Sequence, residues 1–238
     1  MIVDESWSNT ITTAYRSLSP SYRHYLESDR DYFPSQENYL NAFKTLPRDR
    51  VKYILFGQDP YPRRESAIGY SFIDGKVSDI FSDRGLSRDV NRATSLRNFI
   101  KMALVARGDL DIYDTTQSAI SRIDKSHLIS SIYQLKDNFE ANGVLLLNTA
   151  LIFSSKEKSR YHIKEWRPFV ETLLKEMLDI SPKLILFGTH AKALKRLKYI
   201  DNYETIEMEH PYNHTFISNP KALELFGDMD LLSLRLEI

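Results

Sequence analysis

An aspartate in a proline-rich loop is the first residue of this sequence whose type and position suit chemistry. Asp59 follows the apolar run Val51–Phe56 and precedes the tripeptide Pro60–Pro62. Because a proline fixes its own φ and restricts the residue before it, we expect Asp59 to be extended and well placed. For an isolated Asp-Pro pair, an aspartate that bonds its own loop amides is the simpler interpretation. The other polar positions of the chain bear on that choice.

Three further polar side chains occupy defined places. Asn148 ends the apolar run Val144–Leu147, Thr189 closely follows the run Lys183–Phe187, and His210 precedes a proline. A polar residue at the end of a buried strand must find partners or reduce stability. The amide of Asn148 can donate and accept hydrogen bonds at once, although bonding to a neighbouring loop is a serious alternative. For an isolated His-Pro pair, a histidine satisfied by backbone is likewise the simpler interpretation.

The elements that must position these side chains are short apolar runs separated by helical patterns. Runs this short and continuous are typical of strands buried on both faces, as in a parallel sheet. The alternation predicts an α/β fold, a three-layer α/β/α arrangement with a central, mostly parallel four-stranded sheet. Ligands of such sheets bind beyond the carboxyl ends of the strands, where Asp59, Asn148 and Thr189 are predicted to lie. The predicted strands are Val51–Phe56, Val144–Leu147, Lys183–Phe187 and Tyr203–Met208, and the predicted helices are 95–107, 126–141 and one that carries the apolar stripe 166–178.

Neither an internal repeat nor a low-complexity linker interrupts the chain. Glycine and proline are few and scattered, with 8 and 9 residues, so no change in composition marks a boundary. We therefore expect residues 1–238 to form a single domain. No apolar run is long enough to cross a bilayer, and the N-terminus lacks the pattern of a secretory signal, so a soluble, cytoplasmic protein is expected.

Several motifs together resemble the family 1 uracil-DNA glycosylases. Gly57–Tyr61 resembles the family's water-activating motif, Gly143–Ala150 its strand with the uracil-reading asparagine, and Leu186–Ala191 its Gly-Ser loop, with Thr189 in place of serine. The matches follow the family's order from about residue 33 to 227. A single five-residue match would be weak, whereas this ordered set is strong. The remaining matches are Phe33–Ser35, Asn41–Phe43, Ser95–Asn98 and Glu209–Pro211.

The resemblance implies a monofunctional enzyme that hydrolyses the N-glycosidic bond of deoxyuridine in DNA and so initiates base excision repair. The nucleotide is flipped into a pocket that reads the edge of its base. By the family's roles, Asp59 orients the attacking water and stabilises the positively charged sugar, and His210 donates a hydrogen bond to uracil O2. A neutral histidine suits that role if its other nitrogen accepts a hydrogen bond or its pKa is lowered.

The resemblance also assigns the residues that recognise the substrate. Asn148 would donate to uracil O4 and accept from N3–H, and Tyr61 would exclude thymine by contacting C5. Phe72 would stack on the base, although it could equally be ordinary core, and Gln58 would contribute backbone amides. We expect no metal and no organic cofactor. The residues expected to contact DNA are Ser95, Thr189, Tyr212, Asn213 and His214.

The sequence departs from the family at the end of two motifs. The family commonly has His-Pro-Ser-Pro-Leu, where this chain has His-Pro-Tyr-Asn-His at 210–214, and Pro62 replaces a usual histidine. The serine that grips a phosphate and the leucine that fills the gap in the stack are therefore unmatched. Tyr212 or Asn213 could bond a phosphate, and His214 or Phe216 could act as the wedge.

The charge distribution and the composition provide observations that do not depend on the motif matches. The 32 basic and 32 acidic residues balance, which argues against a uniformly basic surface. Yet residues 84–107 carry six bases and one acid, 156–167 five bases and two acids, and 183–198 five bases and no acid. Such segments are usually only solvated faces, but they fit phosphate contacts. Because the chain has no cysteine, it also cannot hold the iron–sulfur cluster of some relatives.

The leading hypothesis is thus a uracil-DNA glycosylase that acts, as a monomer, on single- or double-stranded DNA. A glycosylase of the same fold with another base preference is the first alternative, which the altered final motif permits. A non-catalytic DNA- or protein-binding relative is the second, and the presence of both Asp59 and His210 argues against it. An unrelated α/β hydrolase is the third, and it would have no affinity for DNA.

Overall fold

Four of the strands form one sheet, as the apolar runs predict. A computed structural model describes residues 2–29, 31–189 and 193–235. The sheet has the strand order β4-β1-β5-β6, and β1 is parallel to both β4 and β5. The strands of the described residues are β1 (Tyr53–Gly57), β2 (Phe81–Ser82), β3 (Gly85–Leu86), β4 (Val144–Asn148), β5 (Lys183–Phe187) and β6 (Thr205–Met208). The predicted α/β fold with a mostly parallel four-stranded sheet is confirmed.

Helices flank the strands in sequence and begin at recognisable caps. Ser155 caps the longest helix, which extends ten residues before the predicted apolar stripe and accommodates Pro168. The predicted helix 126–141 is wrong in its first turns, because a capping box of Ser131 and Gln134 starts the helix at Ile132. The α-helices of the described residues are α1 (Ser8–Arg16), α2 (Pro20–Ser28), α3 (Arg88–Arg92), α4 (Thr94–Ala106), α5 (Gln117–Ser121), α6 (Ile132–Ala141), α7 (Lys156–Glu176) and α8 (Pro220–Met229). Short 3-10 helices lie at Glu5–Trp7, Asn41–Phe43, Arg48–Arg50, Ile200–Asn202 and His214–Ser218.

The chain divides into two compact units, and the expectation of a single domain stays a prediction. The sheet unit comprises Met1–Asp74 and Gly143–Glu207, and the helical unit comprises Gly75–Asn142 and Met208–Ile238. None of the helices within the described ranges is long and apolar enough to span a membrane.

The core of the sheet unit lies on one face of the sheet. Alternate strand residues, such as Ile54, Phe56 and Leu145, join an apolar cluster that includes Trp166 and Phe169 of α7. The other strand positions are buried as well, for example Leu55, Leu146 and Ile185. Strands buried on both faces explain why these runs are continuous in apolar residues.

The helical unit has an aromatic core. Phe99 of α4 lies with its ring centroid 5.7 Å from Phe139, 6.3 Å from Phe216 and 4.9 Å from Phe226. All four side chains are fully buried. Offset and edge contacts at these separations add to the free energy gained from burial alone.

A buried histidine joins three elements of the sheet unit. His162 of α7 is fully buried, with Tyr22 Oη 2.7 Å from its Nδ1 and Ser154 Oγ 2.8 Å from its Nε2. A neutral ring can donate at one nitrogen and accept at the other, so both contacts are satisfied. Burial, with a contribution from Lys158, lowers the pKa of His162 to about 4.

We expect this histidine to make the protein acid-sensitive. The pKa of His162 is lower in the folded chain than the ordinary 6.5, so the unfolded chain takes up this proton at higher pH than the folded chain. The stability that the neutral ring contributes is therefore complete above pH 6.5 and is lost as the pH falls through 4. The loss should reach about 3 kcal/mol of unfolding free energy. Urea unfolding between pH 7 and 4 would measure it, with His162→Gln as the comparison. Equal pH slopes for the two proteins would contradict the assignment.

Candidate active site

The carboxyl ends of β1 and β4 are bonded together into one rigid platform. Gly57 lies opposite Asn148 in the parallel register. The backbone carbonyl of Gln58 accepts from Ala150 N–H at 3.0 Å and from Thr149 Oγ1 at 2.7 Å. Thr149 N–H donates to Gly57 O at 3.0 Å. These bonds fix the loop that begins at Gln58 relative to the strand that ends at Asn148.

The side chain of Asn148 lies against a glycine. A methyl group added at Gly57 would come within 2.2 Å of Asn148 Oδ1 and 2.9 Å of Ser71 Cβ. Asn148 is 6% exposed, and its side-chain amide has no hydrogen-bond partner within residues 2–29, 31–189 and 193–235. The alternative of an asparagine that bonds a neighbouring loop therefore finds no support among these residues. A nearly buried amide without an internal partner is suited to a ligand.

This contact makes Gly57 a sensitive position. We expect Gly57→Ala to displace the Asn148 amide and to raise KM for a uracil-containing oligonucleotide at least tenfold, since a buried hydrogen bond left unmade costs roughly 1–3 kcal/mol. Steady-state kinetics would measure the change. Gly108→Ala is the matched control, because nothing lies within 4 Å of a methyl group there, although its φ of +80° adds backbone strain. An unchanged KM in Gly57→Ala would contradict the role given to this contact.

Asp59 has a partner that the sequence does not reveal. Its half-buried carboxylate accepts a hydrogen bond from Ser159 Oγ, on α7, at 2.5 Å from Oδ2. A hydrogen bond to an ionised carboxylate is short and strong, and it fixes the direction of the oxygens. Ser159 lies 100 residues from Asp59, and no motif marks it. Only the packing of α7 in the sheet unit brings the two side chains together.

Tyr61 and Phe72 are linked through the backbone. The Tyr61 hydroxyl donates to Phe72 O at 3.1 Å, and burial raises the pKa of Tyr61. Phe72 has a φ of +68° and is the centre of a three-residue turn closed by Ile73 N–H to Ser71 O at 2.8 Å. A phenylalanine in this left-handed region is strained by roughly 1–3 kcal/mol. Such outliers concentrate at functional sites, which favours a role in ligand contact over ordinary core packing.

The structure also gives the surroundings of this strained turn. Ser71 Oγ donates to Leu55 O at 3.0 Å, and Ser71 N–H donates to Leu146 O at 3.1 Å, so the turn is anchored to β1 and β4. The half-buried Phe72 ring lies 6.4 Å from that of Phe187. Thr189, two residues farther along, is exposed. The rest of the predicted Gly-Ser loop, His190 and Ala191, lies outside the described residues, as does Lys192.

In the helical unit, one asparagine organises the loop that carries the predicted catalytic histidine. Asn98 of α4 is 1% exposed, and its Nδ2 donates to the carbonyls of Pro211 at 2.8 Å, Tyr212 at 3.2 Å and Asn213 at 3.2 Å. The motif match at Ser95–Asn98 identified the segment, but its positioning function was not predicted. Ser95 is half-buried in the first turn of α4.

The predicted catalytic histidine is held in one tautomer. Tyr212 N–H donates to His210 Nδ1 at 3.0 Å, so the proton of the neutral ring resides on Nε2. His210 is exposed as a residue, but partial desolvation of its ring lowers its pKa below the ordinary value. The ring is therefore neutral near pH 7 and presents Nε2–H as its donor. This arrangement meets both conditions under which a histidine can donate to a developing anion.

The loop after His210 contains both exposed and buried residues. Tyr212 is 66% exposed, and Asn213 and His214 are exposed as well. Glu209 closes the loop by accepting from Thr215 Oγ1 at 2.5 Å. The suggestion that Phe216 serves as a wedge is wrong, because Phe216 is fully buried in the aromatic core of its unit. His214 stays a prediction for that role.

The structure thus divides the predicted residues between its two units. The sheet unit contains Gln58, Asp59, Tyr61, Phe72, Asn148 and Thr189, and the helical unit contains Ser95, His210, Tyr212, Asn213 and His214. Asp59 and His210 each have a hydrogen-bonded environment that suits the role predicted for them. Their roles stay predictions that mutagenesis can test.

Comparison with known proteins places this arrangement in a family. The crystal structure of wild-type UNG from Nitratifractor salsuginis is 57% identical, with a TM-score of 0.97, and the match covers 98% of this chain and 94% of that one. A uracil-DNA glycosylase of Francisella philomiragia is 25% identical over 181 residues, which are 75% of this chain and 69% of the relative. Uracil-DNA glycosylase 1 of Listeria innocua is 27% identical over 67% of this chain, which spans 59% of that relative.

More distant comparisons bear on the fold alone. Mimivirus uracil-DNA glycosylase is 20% identical, with a TM-score of 0.57, over 88% of this chain and 69% of that one. The sequence matches no protein-family model.

The identity and coverage of the Nitratifractor salsuginis structure, together with the motifs described above, establish that the chain belongs to the uracil-DNA glycosylase family.

Proposed function

We propose that the chain hydrolyses the N-glycosidic bond of deoxyuridine in DNA, which releases uracil and leaves an abasic site. The observation that carries the proposal is the Asn148 amide, nearly buried beside Gly57 and without an internal partner among the described residues. One amide can donate to uracil O4 and accept from N3–H, whereas cytosine presents the opposite pattern. Base excision repair begins with this reaction.

The mechanism assigns opposite charges to opposite ends of the breaking bond. As the bond between C1′ and N1 lengthens, the sugar becomes positive and uracil becomes negative. Asp59, oriented by Ser159, stabilises the sugar and directs the water whose oxygen bonds to C1′. His210 donates from Nε2–H to uracil O2, where the negative charge accumulates. The water's proton is released as the C1′–O bond forms, and uracil leaves as an anion or takes up a proton.

The proposal is tested with oligonucleotides that contain one modified base. We expect release of uracil from a single-stranded substrate, detected by alkaline cleavage of the abasic product, and no release from thymine-containing DNA. The altered motif at 210–214 favours a second candidate, a glycosylase with another base preference. Faster release of a different modified base would support that candidate, and DNA binding without cleavage of any base would refute both.

Tyr61 provides a test of how thymine is excluded. The hydrogen bond from its hydroxyl to Phe72 O fixes the ring position. We expect Tyr61→Ala to release thymine from DNA, with uracil release retained at a lower rate, because the wall against the C5 methyl group is removed. Tyr61→Phe is the matched control and should still exclude thymine. Unchanged exclusion in Tyr61→Ala would show that another residue forms that wall.

Three finer features belong to the same proposal. We expect the protein to act as a monomer, since the reaction requires only one set of the residues named above. We expect it in the cytoplasm, acting on single- or double-stranded DNA. Size-exclusion chromatography and a comparison of the two substrates test the first and the last.

A further inference from the structure

The sheet unit contains a groove apart from the residues assigned to uracil recognition. It lies between α7 and the segment 193–197 and has a volume of about 280 Å³. Its floor is apolar and includes Ile163, Val170 and Leu194. We call this feature the basic groove, because Arg160, Lys164, Arg167 and Arg196 also line it.

One of the four cations holds the groove together. Arg167 donates through Nε to Glu171 Oε1 at 2.8 Å and through Nη2 to Arg196 O at 2.5 Å. Glu171 Oε1 also accepts from Lys198 N–H at 3.1 Å. Arg167 and the carboxylate of Glu171 therefore join α7 to the segment 193–197, and this acid is already engaged. The walls are consequently fixed before any ligand arrives.

The other three cations are exposed and uncompensated. The charged groups of Arg160, Lys164 and Arg196 make neither an ion pair nor a hydrogen bond with any part of the chain that the structure describes. By contrast, the nearby Lys183 and Lys195 pair with Glu204 and Glu207. Three cations without an acidic partner among the described residues are therefore gathered in the groove.

Local stability does not account for this placement. Arg160 and Lys164 are four residues apart on α7, where like charges repel. An arrangement that opposes this repulsion is consistent with a role in binding an anion.

The position of the groove links it to the proposed reaction. Thr149 lines the groove, and it follows Asn148 directly and donates to Gln58 O. A strand whose uridine reaches Asn148 would thus have an adjacent nucleotide within reach of the groove. Cations beside an apolar surface match a single strand, which carries phosphates and flat bases.

We propose that the basic groove binds the single-stranded DNA that flanks the flipped uridine, with phosphates on Arg160, Lys164 and Arg196. One base packs on the floor formed by Ile163 and Leu194. The volume is slightly below the roughly 300 Å³ of the smallest ligand pockets and suits one base. The direction of the bound strand, toward Asn148, rests on the proposed function. Binding of DNA in the groove is nevertheless measurable without catalysis.

The test compares two triple variants with equal changes in charge. The groove variant is Arg160→Gln, Lys164→Gln and Arg196→Gln, and the control is Arg16→Gln, Lys52→Gln and Lys175→Gln, three exposed cations of the same unit. Affinity for a uracil-free single-stranded oligonucleotide is measured by fluorescence anisotropy between 50 and 200 mM salt. We expect the groove variant to bind at least tenfold more weakly and to lose about two units of the logarithmic salt slope, at about 0.7 per phosphate contact. The control should lose far less.

Catalysis separates this proposal from the proposed function. For a long uracil-containing strand, the groove variant should show a KM raised about tenfold with kcat unchanged, while the control variant should keep the KM of the wild type. Equal affinity and salt slope in the two triple variants would overturn the groove proposal, as would loss of binding to an acidic peptide without loss of DNA binding. A wild type that binds DNA through the groove but releases no uracil would instead refute the proposed function.

Discussion

Replacing Asp59 by asparagine is expected to lower kcat for uracil release on the order of 10³-fold, within the range of carboxylates that act on a reacting water. Asparagine has nearly the same shape, and its side-chain oxygen can still accept from Ser159 Oγ. The substitution therefore removes the negative charge and leaves the position of the loop. Single-turnover cleavage of a uracil oligonucleotide measures the rate, and anisotropy should show binding largely retained.

Substitution of Ser159 tests the orientation of the Asp59 carboxylate separately from its charge. Ser159→Ala keeps the carboxylate but removes its donor, so we expect kcat to fall about tenfold, in line with one hydrogen bond to a charged group. The hydrogen bond orients the carboxylate and does not touch the DNA, so we expect KM to change little. Ser159→Thr keeps a hydroxyl and should restore kcat.

The outcomes of these two substitutions discriminate among explanations. A full rate in Asp59→Asn would remove Asp59 from the mechanism. A rate in Ser159→Thr as low as that of Ser159→Ala would mean that Ser159 supports packing only. Asp201→Asn, at an exposed position of the same unit, is the control and should leave the rate unchanged.

The sequence predicted the parts of the fold and site that depend on local pattern. Continuous apolar runs identified the strands β1, β4 and β5, and the polar residues just beyond them occupy the predicted edge of the sheet. Proline restriction around Asp59 and the strand end at Asn148 are likewise local properties. Such features follow from neighbouring residues and can be inferred without tertiary structure.

The positioning residues were not predictable, because their function arises only from tertiary contacts. Ser159 and Asp59 are in contact although they are 100 residues apart in the sequence. Asn98 donates hydrogen bonds to the carbonyls of residues 211–213, which are more than 110 residues away in the sequence. A serine inside a helix and an asparagine in a helix are ordinary on sequence grounds. Phe216 shows the converse error, since an aromatic residue beside a loop could be a wedge or core, and only its burial decides.

Whole-chain charge was equally uninformative about electrostatic function. The net charge is zero, yet three cations in the basic groove lack acidic partners among the described residues. Pairing within the structure, and not composition, determines where positive charge remains available. Lys183 and Lys195 belong to the same basic segment as Arg196, but both are neutralised by glutamates.

Replacing His210 by leucine should lower kcat by about 10²–10³-fold, the effect of removing one donor to a developing anion. Because Tyr212 N–H already donates to Nδ1, a proton added there would oppose that bond, and partial desolvation of the ring further lowers the pKa of His210. We therefore expect the midpoint at which protonation of His210 changes kcat to lie below the usual histidine value of about 6.5.

The matched substitutions decide whether the hydrogen bond from His210 is responsible. His210→Gln retains a side-chain N–H and should recover part of the rate, whereas the exposed His24→Leu should have no effect. A pH–rate profile with a midpoint near 6.5 in the wild type would show that the charged ring is the active form. Equal rates for His210→Leu and His24→Leu would contradict the role altogether. A neutral donor is sufficient here because its bond to uracil O2 strengthens as the negative charge grows, so the interaction favours the transition state over the bound substrate.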